Sequence, residues 1–407
     1  MNIRPIRKEE LIEAKQLSAI CFEYPFQMNK PKEEYLNQLL ASPDQKGDAY
    51  WNMIYGAFTE QNELMSCLNV IPYQFYFDGS IMNGTGIGNV VTYPHHRKKG
   101  AVKKIFQTIL PEMYKNKIAF SYLYPFSESF YRKYGYERSC TSIGWNLDLS
   151  KIPCCSYSGS FHLYSSPSEQ PMFEETYKTF ASSFNMMVNR DKYDWTILKE
   201  AKAAYNNTYA YLYKNDAGIP CGYIIFKKDF DNNQAILNCR ELVYNSFSTL
   251  QAIMSFLSTY ASDYKRVHFY GPSTHNLQSF CTDFAQSSSY MTIGSNGMIR
   301  AIHVPSVLKQ ANYKGSGEIT IELFDQQIIE NNGVFHIIFE SGKAVSIEKT
   351  EHVSPDVSLP VSLFSSAIVG NYTPEQLLFC NDLTLHCTLE KLSCVFYKKP
   401  CWINNYF

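Results

Sequence analysis

The chain has no apolar segment of the ~20 residues that a membrane-spanning helix requires. Its first residues, MNIRPIRKEE, are charged where a secretory leader needs an apolar run. A cytoplasmic protein with no membrane partner is expected, and its 12 cysteines are then expected to be reduced. Charge of one sign is lacking too: 37 Lys and Arg against 38 Asp and Glu leave a formal net charge of −1. No global field draws the chain to nucleic acid, so no nucleic-acid partner is expected. The short cysteine pairs of zinc sites are absent. Cys380, Cys387, Cys394 and Cys401 recur at intervals of seven instead. The residues around them are strand-like, and seven steps along a strand reverse the face. These four are read as small buried hydrophobes, Cys154 and Cys155 similarly, and no metal is expected. Short-period repeats and low-complexity tracts are missing.

What is present is apolar and aromatic. A hydrophobic content of 45% is ample for buried cores, and 407 residues suggest two or three domains. Most of the 31 Tyr and 27 Phe are expected in cores or strands. In residues 1–150 the patterning predicts strands over Met1–Arg7, Trp51–Thr59, Leu64–Phe77, Ile81–Thr92, Ile118–Tyr124 and within Gly135–Leu149. Asp78-Gly79 is a strong hairpin signal between two of them. Helices are predicted over Lys8–Phe22, over Ala101–Lys115 with Val102, Ile105, Ile109 and Met113 on one face, and over Ser127–Lys133 with Ser127 as N-cap.

Residues 151–166, rich in Ser, Pro and Gly, read as a connection. Residues 151–297 then repeat the first pattern: helices over Phe173–Asn185 and Tyr193–Ala204, strands over Thr208–Lys214, Gly222–Lys228 and Ala235–Val243, a helix over Ser246–Tyr260 and a strand over Val267–Tyr270. Asn245-Ser246-Phe247-Ser248 stands where the first half has a basic Gly loop. Residues 298–407 read as a small α+β unit. Its strands are Ile299–Val304, Ile319–Phe324, Gly333–Glu340 and Ala344–Lys349, and its helices Pro305–Ala311, Pro360–Val369 and Thr373–Phe379.

The most informative stretch is Asn89–Lys104, NVVTYPHHRKKGAVKK. A strand leads through a Pro turn into Arg97, Lys98 and Lys99, and Gly100 opens a helix. Helix N-termini present unpaired N–H groups and the positive end of the macrodipole, so they can hold phosphate. Gly100 lets a ligand approach the backbone, and the three cations add charge. The bland alternative is a helix that merely begins after Gly with surface cations. Downstream lies Phe126-Ser127-Glu128-Ser129-Phe130-Tyr131-Arg132-Lys133-Tyr134-Gly135-Tyr136-Glu137.

In that order and spacing, the two segments resemble the GCN5-related N-acetyltransferases (GNAT), whose Arg/Gln-x-x-Gly-x-Gly/Ala motif binds the acetyl-CoA pyrophosphate. Here it stands as Arg97-Lys98-Lys99-Gly100-Ala101-Val102, with Val102 departing from the small final residue. His96-Arg97-Lys98-Lys99-Gly100 and the chain length resemble the Eis-type (enhanced intracellular survival) branch. The resemblance implies an α/β (α+β) fold of three parts: an acetyl-CoA-binding GNAT domain, a degenerate GNAT-like domain, and a sterol-carrier-protein-like domain. It implies that Val90, Val91 and Thr92 pair with the pantetheine arm, that the N–H groups of Lys98–Lys103, Lys103 included, hold the pyrophosphate, and that Ser127 and Glu128 make a further cofactor contact.

The resemblance selects Tyr131 as general acid, with Tyr134 the runner-up. A phenol near pKa ~10 keeps a proton at neutral pH to give to a leaving thiolate. On the residues alone, a helix-face aromatic packed on the core is the alternative for Tyr131. The resemblance also implies that the α-carboxylate of Phe407 acts as base from the active site. The apolar tail Cys401–Phe407 is consistent with burial. Phe22, Glu23, Tyr24, Phe26 and Tyr35 are assigned by position to the amine site, and His95 and His96 are read as structural or solvent-facing. The implied activity is direct acetyl transfer from acetyl-CoA to a small-molecule amine, with an aminoglycoside as one candidate, in a homohexamer. A non-catalytic CoA- or lipid-binding protein and a protein or peptide lysine acetyltransferase are the alternatives.

Overall fold

The longest hairpin of the chain begins at Asp78-Gly79. Both residues are left-handed (φ 46° and 83°), the backbone of a two-residue turn whose twist matches paired strands. In this computed structural model, which describes residues 1–26, 31–40, 49–285, 288–350 and 353–406, the turn joins two strands of 14 and 13 residues. The described residues divide into two compact units. Met1–Ser139, Gly297–Lys398 and Tyr406 form the first, and Cys140–Asn296 with Lys399–Asn405 the second.

In chain order the elements are β1 (Asn2–Pro5), α1 (Leu11–Phe22), α2 (Lys32–Leu40), β2 (Ile54–Phe58), β3 (Leu64–Phe77), β4 (Ser80–Thr92), α3 (Ala101–Lys115), β5 (Phe120–Leu123) and α4 (Glu128–Arg132). Then follow β6 (Glu137–Asp148), β7 (Ser160–Leu163), α5 (Gln170–Ala181), α6 (Thr196–Lys199), α7 (Ala203–Asn206), β8 (Thr208–Lys214), β9 (Pro220–Asp231), β10 (Gln234–Tyr244), α8 (Phe247–Ser258), β11 (Arg266–Pro272) and β12 (Tyr290–Ala301). The last part holds α9 (Val304–Gln310), β13 (Gly317–Phe324), β14 (Gly333–Glu340), β15 (Lys343–Thr350), β16 (Val357–Pro360), α10 (Val361–Ile368), α11 (Pro374–Leu377), β17 (Thr384–Leu385) and α12 (Leu389–Ser393).

In the first unit β1 to β4 run antiparallel in sequence order, and β5 lies parallel to β4. The parallel pair requires a crossover, which α3 supplies. α3 buries Ile105, Phe106, Ile109, Leu110 and Met113 against Leu68, Ile87, Leu123, Tyr131 and Tyr136. Complete burial of such side chains stabilises by roughly 1.5–3 kcal/mol each. The second unit repeats the scheme. β7 to β10 are antiparallel in order, β11 is parallel to β10, and the crossover helix α8 buries Leu250, Ile253, Met254 and Leu257. Within the first unit, β13 to β17 form a five-stranded sheet in the order β15-β14-β13-β16-β17.

Several expected elements differ. Residues 193–204 form two one-turn helices rather than one helix. The carboxylates of Asp191 and Asp194 accept from the N–H groups of Tyr193 and Asp191, which favours turns there. Residues 151–166 contain β7, an edge strand on β8. The strand expected from Ile299 begins at Tyr290, where exposed Thr, Gly and Ser obscure the alternation. Pro360 closes β16, which pairs in parallel with β13, and only then does α10 begin. The cysteines at intervals of seven do not share a strand. Cys380 follows α11, Cys387 follows β17 and Cys394 caps α12, all partly exposed; only Cys401 is buried. Cys154 is exposed. Among the described residues no helix is long and apolar enough to cross a membrane, and no cluster of three or more His, Cys, Asp or Glu is placed to hold a metal.

Candidate functional site

β4 carries a bulge near its end. Cys67 pairs with Val91 and Asn69 with Gly88, so Asn89 and Val90 face the single Leu68, and Asn89 is left-handed (φ 51°). The parallel register with β5 ends at Ile87–Leu123, so the two strands part at this bulge. Val91 and Tyr93 turn their backbones to β3: Tyr93 N–H donates to Met65 O at 3.0 Å, and the Ser66 hydroxyl donates to Val91 O at 2.7 Å. Alternation then directs the backbones of Val90 and Thr92 away from β3, to the side where β5 has ended. The Val91 side chain is buried in the core.

The chain next turns through Pro94–His96 and meets α3 with Lys98 and Gly100 both left-handed (φ 64° and 79°). Changes of backbone hand make successive N–H groups converge into an anion-binding nest. Gly100 is the N-cap and makes no side-chain cap. The first backbone bond reaches Lys104 N–H, leaving those of Ala101, Val102 and Lys103 without a helical acceptor. A Cβ built on Gly100 meets no atom within 4 Å, so the space above the loop is open. Arg97, Lys98, Lys99 and Lys103 are exposed, and among the described residues none is in an ion pair. Lys99 Nζ stands 3.2 Å from His96 Nδ1; burial first, then His95 and Lys99, hold His96 below its usual pKa. Val102 is half-buried at the edge of the α3 core. An uncapped, positively charged helix start beside open space fits a pyrophosphate.

Tyr131 lies on α4 and is 2% exposed. Phe106, Phe126, Phe130 and Tyr136 meet its ring edge to face, with centroids 5.1–6.4 Å away. Burial, then the neighbouring phenols of Tyr136 and Tyr134, push its pKa up, so it stays protonated. Tyr136 is engaged with Ser121 Oγ at 2.7 Å, and Tyr134 is stacked on Phe106 at 4.3 Å. Ser127 occupies the N-cap of α4 but makes no cap bond; its hydroxyl contacts that of Ser129. Glu128 pairs with Arg138 at 2.8 Å and Arg132 at 3.1 Å, so its carboxylate is already engaged.

The turn after α4 is held by groups that sequence reasoning missed. Gly135 is left-handed (φ 80°), and a Cβ there would run into the Arg300 guanidinium. Arg300, fully buried on β12, donates to Tyr134 O and pairs with both oxygens of Asp325, at 2.6 and 2.8 Å. Gln327 Nε2 donates to Lys133 O at 3.0 Å. The sequence signal was one Arg inside the apolar run Met298–Ile302.

The structure gathers Phe22, Glu23 and Tyr24 at the end of α1, with Glu23 as a left-handed C-cap, and pairs the rings of Phe26 and Tyr35 at 5.6 Å. Cys21 donates its thiol to Thr92 O at 3.4 Å, tying this end of α1 to the parted strand. A cleft along α1 is lined by the carboxylates of Glu9, Glu10 and Glu13, the cations Arg7 and Lys32, and the rings of Phe26 and Tyr93. Burial above all raises the pKa of Glu13. Tyr406 stacks on Tyr124, just past β5, at 4.6 Å. Phe407 lies outside the described residues.

Residues 2–139 match a family described as acetyltransferase (GNAT) domain, residues 186–301 a second acetyltransferase (GNAT) domain family, and residues 304–404 a sterol carrier protein domain. A search of curated proteins finds no match. Among solved structures, a GCN5-related N-acetyltransferase from Anabaena variabilis is 22% identical, with TM-score 0.84 over 100% of both chains. A conserved protein of unknown function from Enterococcus faecalis, described as a probable N-acyltransferase, is 21% identical with TM-score 0.84, over 100% of this chain and 99% of that one. Eis1 from Mycobacterium abscessus is 16% identical with TM-score 0.80 over 100% of both. These similarities give the shared fold, and the domain matches support acetyl transfer with acetyl-CoA as co-substrate.

Proposed function

We propose that this chain, which belongs to the Eis-type GCN5-related N-acetyltransferases, transfers acetyl groups directly to an amine of a small cationic molecule, with aminoglycosides among the first to test. The observation that carries the reading is the uncapped N-terminus of α3, directly after a strand that has parted from its neighbour.

Acetyl-CoA, when bound, supplies the acyl group as a thioester. The N–H groups of Ala101, Val102 and Lys103 and the charges of Arg97, Lys98 and Lys99 would hold its pyrophosphate. The backbones of Val90 and Thr92 would pair with its pantetheine arm like an added strand. Tyr131 keeps its proton through the working pH range. Its raised pKa makes full transfer to a thiolate of ordinary basicity, near ~8.5, uphill. Tyr131 therefore acts by donating a hydrogen bond to the developing negative charge on sulfur, in a site where burial strengthens that bond. The cleft beside Phe26 and Tyr93 sets Glu9, Glu10 and Glu13 against Arg7 and Lys32, so carboxylates stand within it to meet an amine that arrives as a cation. The amine must lose a proton before it attacks, and the terminal carboxylate of Phe407 is the proposed acceptor. Family resemblance supports a homohexamer.

The test is a screen of aminoglycosides, polyamines and lysine peptides with acetyl-CoA, reading released thiol and acetylated product. Acetylated aminoglycoside or polyamine is the expected product. Turnover of lysine peptides alone would transfer the reading to protein acetylation, and acetyl-CoA binding without turnover of any amine would leave a binding protein.

A further inference from the structure

The C-terminal tail is docked within the second unit, and it brings two thiols together. Cys401 Sγ lies 2.7 Å from Cys140 Sγ, and the two residues are 5% and 1% exposed. Bonded sulfurs stand about 2.0 Å apart, so closing this pair needs a shift of well under an ångström. The register of the tail does not depend on the thiols. Asn185 N–H donates to Pro400 O at 2.8 Å, and Trp402 N–H donates to Asn185 O at 3.0 Å. Beyond Cys401, Asn404 donates to Glu241 at 2.5 Å, and Asn405 accepts from Arg190 at 2.9 Å. These contacts present Cys401 to Cys140 in one geometry whenever the tail is seated.

We infer that Cys140 and Cys401 form a reversible disulfide that locks the C-terminal tail onto the second unit under oxidising conditions. The oxidant is a small-molecule disulfide such as oxidised glutathione. Apart from the isolated bridge at Cys401, the described residues of the tail form no helix or strand, so it opens locally at a smaller cost than global unfolding. In the open state the Cys401 thiolate attacks the small disulfide, forms a mixed disulfide and releases one thiol. When the tail reseats, the Cys140 thiolate attacks the Cys401 sulfur and releases the second thiol. Two protein thiols are thereby oxidised and one small disulfide is reduced to two thiols, with the two protons going to the released thiolates. The bond spans 261 positions of sequence, and cross-links that close long loops constrain the unfolded chain most. Reduced protein lets its last residues exchange between seated and open; oxidised protein does not. The inference stands apart from the acetyl-transfer reading, because its chemistry needs neither acetyl-CoA nor an amine.

The experiment equilibrates the full chain in glutathione buffers of graded ratio, alkylates remaining thiols, and maps the peptides. Expected are the loss of two hydrogen masses, one cross-linked peptide pair containing Cys140 and Cys401, and a higher melting midpoint for the oxidised form. Carboxypeptidase is expected to trim the reduced chain past Trp402 and to stop at Cys401 in the oxidised one. Cys140→Ser and Cys401→Ser should each abolish the cross-link and the protection. The wild-type peptide map decides the matter even if a variant fails to fold. Glutathionylation of Cys154 alone, or cross-links scattered over other pairs, would overturn the inference.

Discussion

The two GNAT-like halves share a scaffold and part company at one place. In each, an antiparallel set of strands ends in a bulge, a parallel strand follows, and a helix crosses between them. The bulge lies at Asn89–Val90 in the first half and at Arg240, between Cys239 and Glu241, in the second. The first half leaves the start of its crossover helix without a side-chain cap and ringed by cations. The second half closes the same position: Ser246 accepts from Thr249 N–H at 3.1 Å. Past its bulge, Glu241 binds Arg190, Tyr223 and Asn404, and Trp402 lines a small cavity with Trp145, Tyr244 and His275. One fold thus supports a site or fills it with its own side chains, according to which groups satisfy the helix start and the parted strand.

Changes in either half sharpen this contrast. Tyr131→Phe is expected to lower kcat by about 10²–10³-fold with little change in the KM for acetyl-CoA. Tyr244→Phe, at a half-buried phenol of the second half, is expected to leave both constants unchanged in steady-state assays. Glu241→Ala strands the Arg190 guanidinium, 4% exposed, and is expected to cost roughly 3–5 kcal/mol in denaturant unfolding. Charge reversal at exposed Lys99 is expected to cost almost nothing by that measure.

Acid should act on the second half. Burial holds the His275 pKa down at about 4, with the Tyr244 hydroxyl 2.6 Å from its Nδ1. A histidine depressed in the folded state contributes stability that is full above its unfolded pKa of ~6.5 and is lost as pH falls towards 4. The loss at pH 4 is of the order of 3 kcal/mol, and His275→Gln should flatten the stability profile between pH 6.5 and 4. A smaller loss than either is expected from Ser246→Ala, about 1 kcal/mol from a lost helix cap. Gly100 has no such bond to lose.

What could be read from the sequence was local. The Asp78-Gly79 turn, the spacing of Ile105, Ile109 and Met113, and the basic loop before α3 each declare themselves within a dozen residues, and the fold places them as expected. The Arg300–Asp325 pair that holds the turn after Tyr131 was invisible, because two lone charges far apart in sequence carry no periodicity. The tail announced its burial through Trp402 and Ile403, but not its dock, which depends on Asn185, Arg190 and Glu241. The spacing of Cys380, Cys387, Cys394 and Cys401 misled, since it runs through α11, β17 and α12 into the tail. Proximity of Cys401 to Cys140 is a property of the fold alone.

Only the first half is expected to hold acetyl-CoA. Titration calorimetry of acetyl-CoA tests it on the wild type, on the double variant Lys99→Glu/Lys103→Glu, and on Ser248→Glu/Gln251→Glu at the matching start of α8. One bound molecule per chain is expected, with affinity at least about tenfold weaker in the first variant and unchanged binding in the second. Two bound molecules per chain, or binding lost through the α8 variant with the α3 variant intact, would contradict it.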